Sequence, residues 1–97
     1  MLDKVKQMFE MKKQADQLKK ALDAITVESN EVRGIKIVMT GAQTIQSIEL
    51  DPGLLNPDNK KRIENDLMRS VNVAIRKSQN VAAQKMKTMM PGGFPGL

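Results

Sequence analysis

Cysteine, histidine, tryptophan and tyrosine are all absent from this sequence of 97 residues, and its only aromatic side chains are Phe9 and Phe94. Without cysteine, no disulfide, thiol nucleophile or cysteine-ligated metal can form. Without histidine, the commonest general base and metal ligand is missing as well. The serines therefore have no histidine to activate them, and the carboxylates show no metal-ligand spacing. We expect a protein that is not an enzyme and that uses no metal, cofactor or small-molecule substrate.

Long apolar runs are also missing. No stretch approaches the ~18 apolar residues of a membrane span, and the first residues, Met1–Lys4, contain no apolar signal-peptide segment. The lack of cysteine is compatible with the cytoplasm. These features predict a soluble cytoplasmic protein without a membrane partner.

The shortage of aromatic residues limits the hydrophobic core. Aromatic side chains usually contribute much of the apolar area that a domain buries, and a chain this short buries a modest fraction of its surface alone. Self-association supplies further apolar area, so we expect a homodimer. Residues 1–90 are predicted to form one domain. Residues 91–97, rich in glycine and proline, are predicted to be a flexible tail.

Apolar spacing predicts two long helices. Residues 2–24 contain good helix formers and neither glycine nor proline. Their apolar residues alternate at intervals of three and four, which is a heptad seam. The seam comprises Met8, Met11, Ala15, Leu18, Leu22 and Ile25. The second helix is predicted over residues 57–89, with Asn56 as its N-cap and Pro57 in its first turn. Its predicted packing face comprises Ile63, Leu67, Val71, Ala74 and Ile75.

Between the helices, three short segments predict strands. A β-branched run begins at Ile25, and residues 35–40 and 44–50 alternate between apolar and polar positions. In the last segment Ile48 and Leu50 are predicted to share one face, with Ile45 on the other. The predicted fold is α+β, an α-β-β-β-α protomer with a three-stranded antiparallel meander between two long helices.

Basic charge accumulates towards the end of the chain. The net charge is +5, and no acidic residue follows Asp66. Uncompensated basic charge indicates a polyanionic partner, whereas a solvated helix face usually mixes both signs. The candidate contacts in this region are Arg69, Arg76, Lys77, Lys85 and Lys87. A solvated face remains the alternative interpretation.

The first helix carries a second set of candidates, Lys13, Lys19 and Lys20. Three acids interleave with these lysines, so ordinary ion pairs within the helix would explain them equally well. With so few aromatic residues, the chain lacks stacking platforms for single strands. The binding mode that is left is contact with the phosphates of a duplex, and such contacts position a protein without reading bases. We therefore expect low sequence specificity.

Several motifs and their order resemble one known family. Residues 34–42 read Gly-Ile-Lys-Ile-Val-Met-Thr-Gly-Ala, and residues 48–55 read Ile-Glu-Leu-Asp-Pro-Gly-Leu-Leu. A methionine-, glutamine- and lysine-rich helix precedes them, and a Pro-Gly-Gly-Phe-Pro-Gly segment ends the chain. Together they resemble the YbaB/EbfC family of nucleoid-associated proteins. Thr40 stands where the family usually has asparagine in its turn, so the resemblance leaves the turn type open.

The resemblance implies a tweezer-like homodimer, joined mainly through its sheets, that binds double-stranded DNA in the bacterial nucleoid. It also implies roles in nucleoid organisation and gene regulation. It supplies no compact DNA-contact motif, so the candidate residues rest on the charge pattern. Two alternatives remain. Exposed methionine and leucine side chains would also suit a clamp-like helical adaptor or holdase chaperone that binds protein clients. A helix bound to a membrane surface is the other.

Overall fold

The computed structural model describes residues 2–89 and has the element order α-β-β-β-α. The predicted α+β fold is thereby confirmed. The elements are α1 (Leu2–Asp23), β1 (Thr26–Ser29), β2 (Ile35–Thr40), β3 (Ile45–Leu50) and α2 (Lys60–Met89). Two short 3-10 turns, Pro52–Leu54 and Pro57–Asn59, lead into α2. The predicted flexible tail at 91–97 lies outside the described residues.

The start of the second helix follows its sequence signals closely. Asn56 caps the turn at Pro57, because its side-chain oxygen accepts a hydrogen bond of 3.0 Å from the amide of Asp58. The first turn is 3-10, and the α-helix proper begins at Lys60, three residues later than predicted. Asp51 caps the preceding 3-10 turn in the same way, accepting from the amide of Gly53.

The three strands form one antiparallel sheet in the order β1-β2-β3. Ile37 pairs with Ile48 and Val38 with Ser47, but Met39 pairs with Ile45, because a β-bulge adds one residue to β3 at this point. The bulge brings Ile45 onto the face that holds Ile48 and Met39. The predicted placement of Ile45 on the opposite face is therefore wrong, since simple alternation does not hold across a bulge.

The turn between β2 and β3 explains the departure at Thr40. The left-handed conformation falls on Gln43, with φ of 64°, and not on Gly41. The Thr40 hydroxyl oxygen accepts hydrogen bonds of 3.2 Å from the amides of Ala42 and Thr44. Gly41 is needed for a different reason. A Cβ at this position would lie 3.0 Å from the Leu22 carbonyl oxygen, where α1 ends against the turn.

The core lies between the sheet and α2. Ile35, Ile37 and Met39 of β2 are buried beneath the helix, and Ala74 is fully buried above them. The predicted packing residues Leu67, Val71 and Ile75 are half-buried around this centre. Sequence periodicity therefore identified the packing face of α2 correctly, but it missed the small polar residues at its centre.

Two serines on the packing face of α2 are buried. Ser70 and Ser78 are fully buried, four residues on either side of Ala74. The Ser70 hydroxyl donates to the Asp66 carbonyl within the helix, and the Ser78 hydroxyl donates to the Thr40 carbonyl of β2, both at 2.8 Å. Because both hydroxyls are hydrogen-bonded, their burial carries little desolvation penalty.

The molecule is elongated, with extents of 65 × 20 × 20 Å. The second half of α2 extends beyond the sheet and contacts α1 near the end of that helix. Leu18 is buried and Leu22 half-buried there, whereas Met8 is 70% exposed. The predicted heptad seam is therefore covered only in its second half.

Candidate nucleic-acid interface

The structure divides the candidate residues of α2 into two groups. Arg69, Arg76 and Lys87 are exposed and lie on the side of the helix opposite the buried Ala74. Lys77 and Lys85 are half-buried on the side that faces the rest of the protein. Lys85 borders a shallow hollow beside Ile25. The seven-residue spacing of the two arginines thus indicated one continuous face, but the lysines do not all belong to it.

The outward face of α2 carries positive charge without local compensation. Earlier in the helix, Lys60 pairs with Glu64 at 3.7 Å and Arg62 with Asp66 at 3.5 Å. Within residues 2–89, no carboxylate oxygen lies within 4.0 Å of the side-chain nitrogens of Arg69, Arg76 or Lys87. The face is interrupted only by uncharged residues. These are Asn72, Gln79, Asn80 and Ala83, all exposed.

Lys77 is held by contacts that the sequence did not reveal. Its ammonium group forms an ion pair with Glu31 and donates a hydrogen bond of 2.9 Å to the Glu28 carbonyl. Both partners belong to β1 or the loop that follows it, so Lys77 ties the middle of α2 to the sheet. The hydrogen bond from Lys77, assisted by backbone amides of Glu31 and Asn30, lowers the pKa of Glu31 below its ordinary value of 4.5.

We expect Glu31→Gln to lower the free energy of unfolding at pH 7, because Lys77 loses its ionised partner. A carboxyl group with a lowered folded-state pKa stabilises the protein above its unfolded pKa, and this contribution disappears as the pH falls through the folded value. The difference from the parent should therefore shrink as the pH falls below 4.5 and vanish once the pH lies below the lowered pKa of Glu31. Urea unfolding between pH 7 and pH 3 measures it. Glu28→Gln is the control, since the Glu28 side chain pairs with Lys36. Equal stability of parent and Glu31→Gln at every pH would contradict this role.

The candidate lysines of α1 form a separate surface. Lys13, Lys19 and Lys20 are exposed and lie away from the buried Leu18. Within residues 2–89 none of them pairs with a carboxylate, although acids lie nearby in sequence. The basic face of α1 and the basic face of α2 both point away from the protein interior. One protomer therefore presents two basic surfaces and does not join them into a single patch.

Two further lysines belong to the α1 surface and were not among the predicted contacts. Lys6 and Lys12 are exposed as well. Lys6 continues the series of Lys13 and Lys20 at seven-residue spacing, so the signal was present in the sequence. The pairing of Lys77 gave no such signal, because Glu31 is distant along the chain and is brought close only by folding.

Acidic clusters for metal ions and membrane-spanning helices are both missing from the described part of the chain. Among residues 2–89, no three acidic side chains converge closely enough to hold a metal ion. No helix in the same range is both long and apolar enough to cross a bilayer.

Comparison with known proteins gives concordant results along nearly the whole chain. The model of the YbaB/EbfC DNA-binding family matches residues 1–94. A nucleoid-associated protein of Chloroflexus aurantiacus is 32% identical over 89 residues, which cover 91% of this chain and 88% of the relative. A nucleoid-associated protein of Ruminiclostridium cellulolyticum is 30% identical over 96 residues, covering 96% and 84%. One from Desulforamulus reducens is 36% identical over 74 residues, covering 74% and 70%.

Proposed function

Since this chain belongs to the YbaB/EbfC DNA-binding family, we propose that it binds double-stranded DNA as a homodimer, with low sequence specificity. Its place of action would be the nucleoid, where it would contribute to nucleoid organisation and gene regulation. The relatives named as nucleoid-associated proteins support this assignment. The observation that carries it is the uncompensated outward face of α2, formed by Arg69, Arg76 and Lys87.

The geometry of this face suits the backbone of a duplex. Arg69 and Arg76 are separated by two helical turns, about 10 Å along the axis. A duplex carries one phosphate for about every 1.7 Å of its axis, so long basic side chains at this spacing always find phosphates within reach. Such contacts fix a protein on DNA without reading bases. Low sequence specificity follows from contacts of this kind.

The other candidate residues take different parts in this proposal. Lys85 lies on the inner side of α2 and could reach a phosphate only with its extended side chain, whereas Lys13, Lys19 and Lys20 would bind phosphates from the separate surface of α1. A phosphate contact by Lys77 would require its ion pair with Glu31 to open. The main role of Lys77 is therefore to fix the position of α2, and any contact of Lys77 with DNA is secondary.

An uncovered half of the sheet supports the homodimer. The helix α2 packs on β1 and β2, and it leaves β3 at the edge of the sheet. Ile45 and Ile48 share the apolar face, yet they are 42% and 45% exposed. An edge strand with free backbone groups and apolar side chains is a template for pairing with another chain. A second copy would cover both features and enlarge the small core.

Duplex titrations across a salt series test the proposed DNA binding. The logarithm of the binding constant should fall linearly with the logarithm of the salt concentration, with a slope of about −0.9 for each phosphate neutralised. We expect a slope of about −3 or steeper, and affinities for random and A·T-rich duplexes within about tenfold of each other. Fluorescence anisotropy of labelled duplexes measures both. A salt-independent affinity, or suppression of client-protein aggregation without duplex binding, would instead favour the chaperone alternative.

A further inference from the structure

An exposed apolar group covers the first turns of α1. Leu2, Val5, Met8 and Phe9 are 83%, 52%, 70% and 69% exposed, and the last three line a shallow hollow with Lys12. Phe9 is one of only two aromatic residues in the chain. Large apolar side chains that lie together in water usually mark a binding surface.

The rest of α1 shows that this group takes no part in the packing of the described residues 2–89. The side of α1 that contacts the interior is marked by the buried Leu18 and the half-buried Leu22. At 100° per residue, Leu2, Val5 and Phe9 lie on the opposite side of the helix. Leu2, Val5 and Phe9 therefore point away from α2 and the sheet, and no element within residues 2–89 covers them.

Lysines border this apolar group on both sides. Lys6 and Lys13 lie along one side, and Lys12 and Lys19 along the other. These residues are exposed, and none has a carboxylate within 4.0 Å among residues 2–89. Two copies that paired through this group would bring their lysine rows together, and the like charges would repel. Charge complementarity instead selects a polyanion that also accepts an apolar side chain.

We propose that Phe9, supported by Val5, is an apolar wedge that enters a base step of duplex DNA from the minor groove while the flanking lysines bind phosphates. This rests on the proposed DNA binding and adds a second kind of contact to it. Several minor-groove proteins insert phenylalanine, leucine or methionine between base pairs, which unstacks the step and bends the duplex. The lysine contacts depend on salt, whereas the wedge contact does not, so the two can be measured separately.

The absence of tryptophan and tyrosine provides a direct probe. In Phe9→Trp the emission of the protein comes from residue 9 alone. Stacking of the indole on a base should quench this emission and shield it from acrylamide when duplex is added. Leu55→Trp is the matched control, because Leu55 is 64% exposed in the connection before α2, outside both helices, and its emission should change little.

Bending and affinity give a second readout. We expect Phe9→Ala to bind duplex about tenfold more weakly than the parent, within the range measured for base–aromatic stacking, with an unchanged salt slope. The end-to-end energy transfer of a doubly labelled duplex should show a bend with the parent and a smaller bend with Phe9→Ala. Because Phe9 is exposed, circular dichroism of the variant should match that of the parent.

Several results would overturn the wedge. If duplex binds but Phe9→Trp emission and duplex bending do not depend on residue 9, the wedge is wrong and the proposed DNA binding stands. If the parent binds no duplex, both proposals are wrong. If the emission is shielded without DNA, either as protein concentration rises or on adding anionic phosphatidylserine vesicles, the occupant is a second copy or a membrane surface.

Discussion

Replacement of Arg69, Arg76 and Lys87 together by glutamate is expected to weaken duplex binding by at least about a hundredfold at 0.1 M salt. The three side chains form the outward face of α2 and have no carboxylate partner within the described residues. Each neutralised phosphate contributes just under tenfold to affinity at 0.1 M salt relative to 1 M, so three contribute on the order of 500-fold. Glutamate adds repulsion to this loss.

The salt dependence should change in step with the affinity. Loss of three phosphate contacts should make the slope of the log–log plot shallower by about 2.7 for each protomer that touches the duplex, which distinguishes a loss of contacts from a loss of folded protein. The secondary structure should be retained, because all three residues are exposed. Anisotropy titrations at several salt concentrations, with circular dichroism of the same samples, measure both quantities.

A triple variant with the same change of charge provides the control. Lys4→Glu, Arg33→Glu and Lys60→Glu alter exposed residues at the start of α1, in the β1–β2 loop and at the start of α2, all outside the outward face. If the outward face binds the duplex, this variant should lose less than about tenfold in affinity, the cost of its net charge alone. Equal weakening by the two variants would mean that only net charge matters. Parent-like binding by the first variant would move the site elsewhere.

Replacement of Ile48 by aspartate is expected to convert the proposed homodimer into monomers. The apolar side chain is 45% exposed on the uncovered half of the sheet, beside the free edge of β3. In a dimer joined there, each protomer would bury an unpaired carboxylate, at a cost of about 3–5 kcal/mol. A penalty of that size raises the dissociation constant more than a hundredfold.

Analytical ultracentrifugation at micromolar concentration measures the outcome. The parent should sediment at twice its protomer mass of 10.8 kDa, and Ile48→Asp at the protomer mass. Ser47→Asp is the matched control, because Ser47 is the neighbouring residue on the other face of β3 and is also exposed. A monomeric parent would refute the homodimer, whereas a dimeric Ile48→Asp would place the interface elsewhere.

Most of the fold was predictable because its signals are local. The heptad-like spacing of α1, the alternation of β2 and the Asn56-Pro57 start signal of α2 each depend on neighbours within a few residues. The errors occurred where alternation is interrupted. A bulge moved Ile45 to the other face of β3, and a 3-10 turn delayed the start of α2 to Lys60. Neither interruption has a strong signal in a single sequence.

The candidate interface was predictable only in part. The seven-residue spacing of Arg69 and Arg76 was enough to place them on one face, because helical periodicity converts spacing directly into direction. It could not show that Lys77 is engaged by Glu31, since that contact joins residues distant along the chain. Helical spacing also could not show which apolar residues of α1 stay exposed, because that depends on how far α2 extends along α1.

The chain alone therefore established the α-β-β-β-α order, the basic second helix and the family, all of which depend on composition, periodicity and the order of motifs. Only the tertiary structure separated Arg69, Arg76 and Lys87, which point outward, from Lys77, which ties α2 to the sheet. It also showed that the part of the sheet beside β3 is uncovered and that Phe9 lies exposed among lysines. The physical reason is that local spacing sets the direction of a side chain relative to its own element. Whether another element, a carboxylate or water meets that side chain depends on how the elements pack.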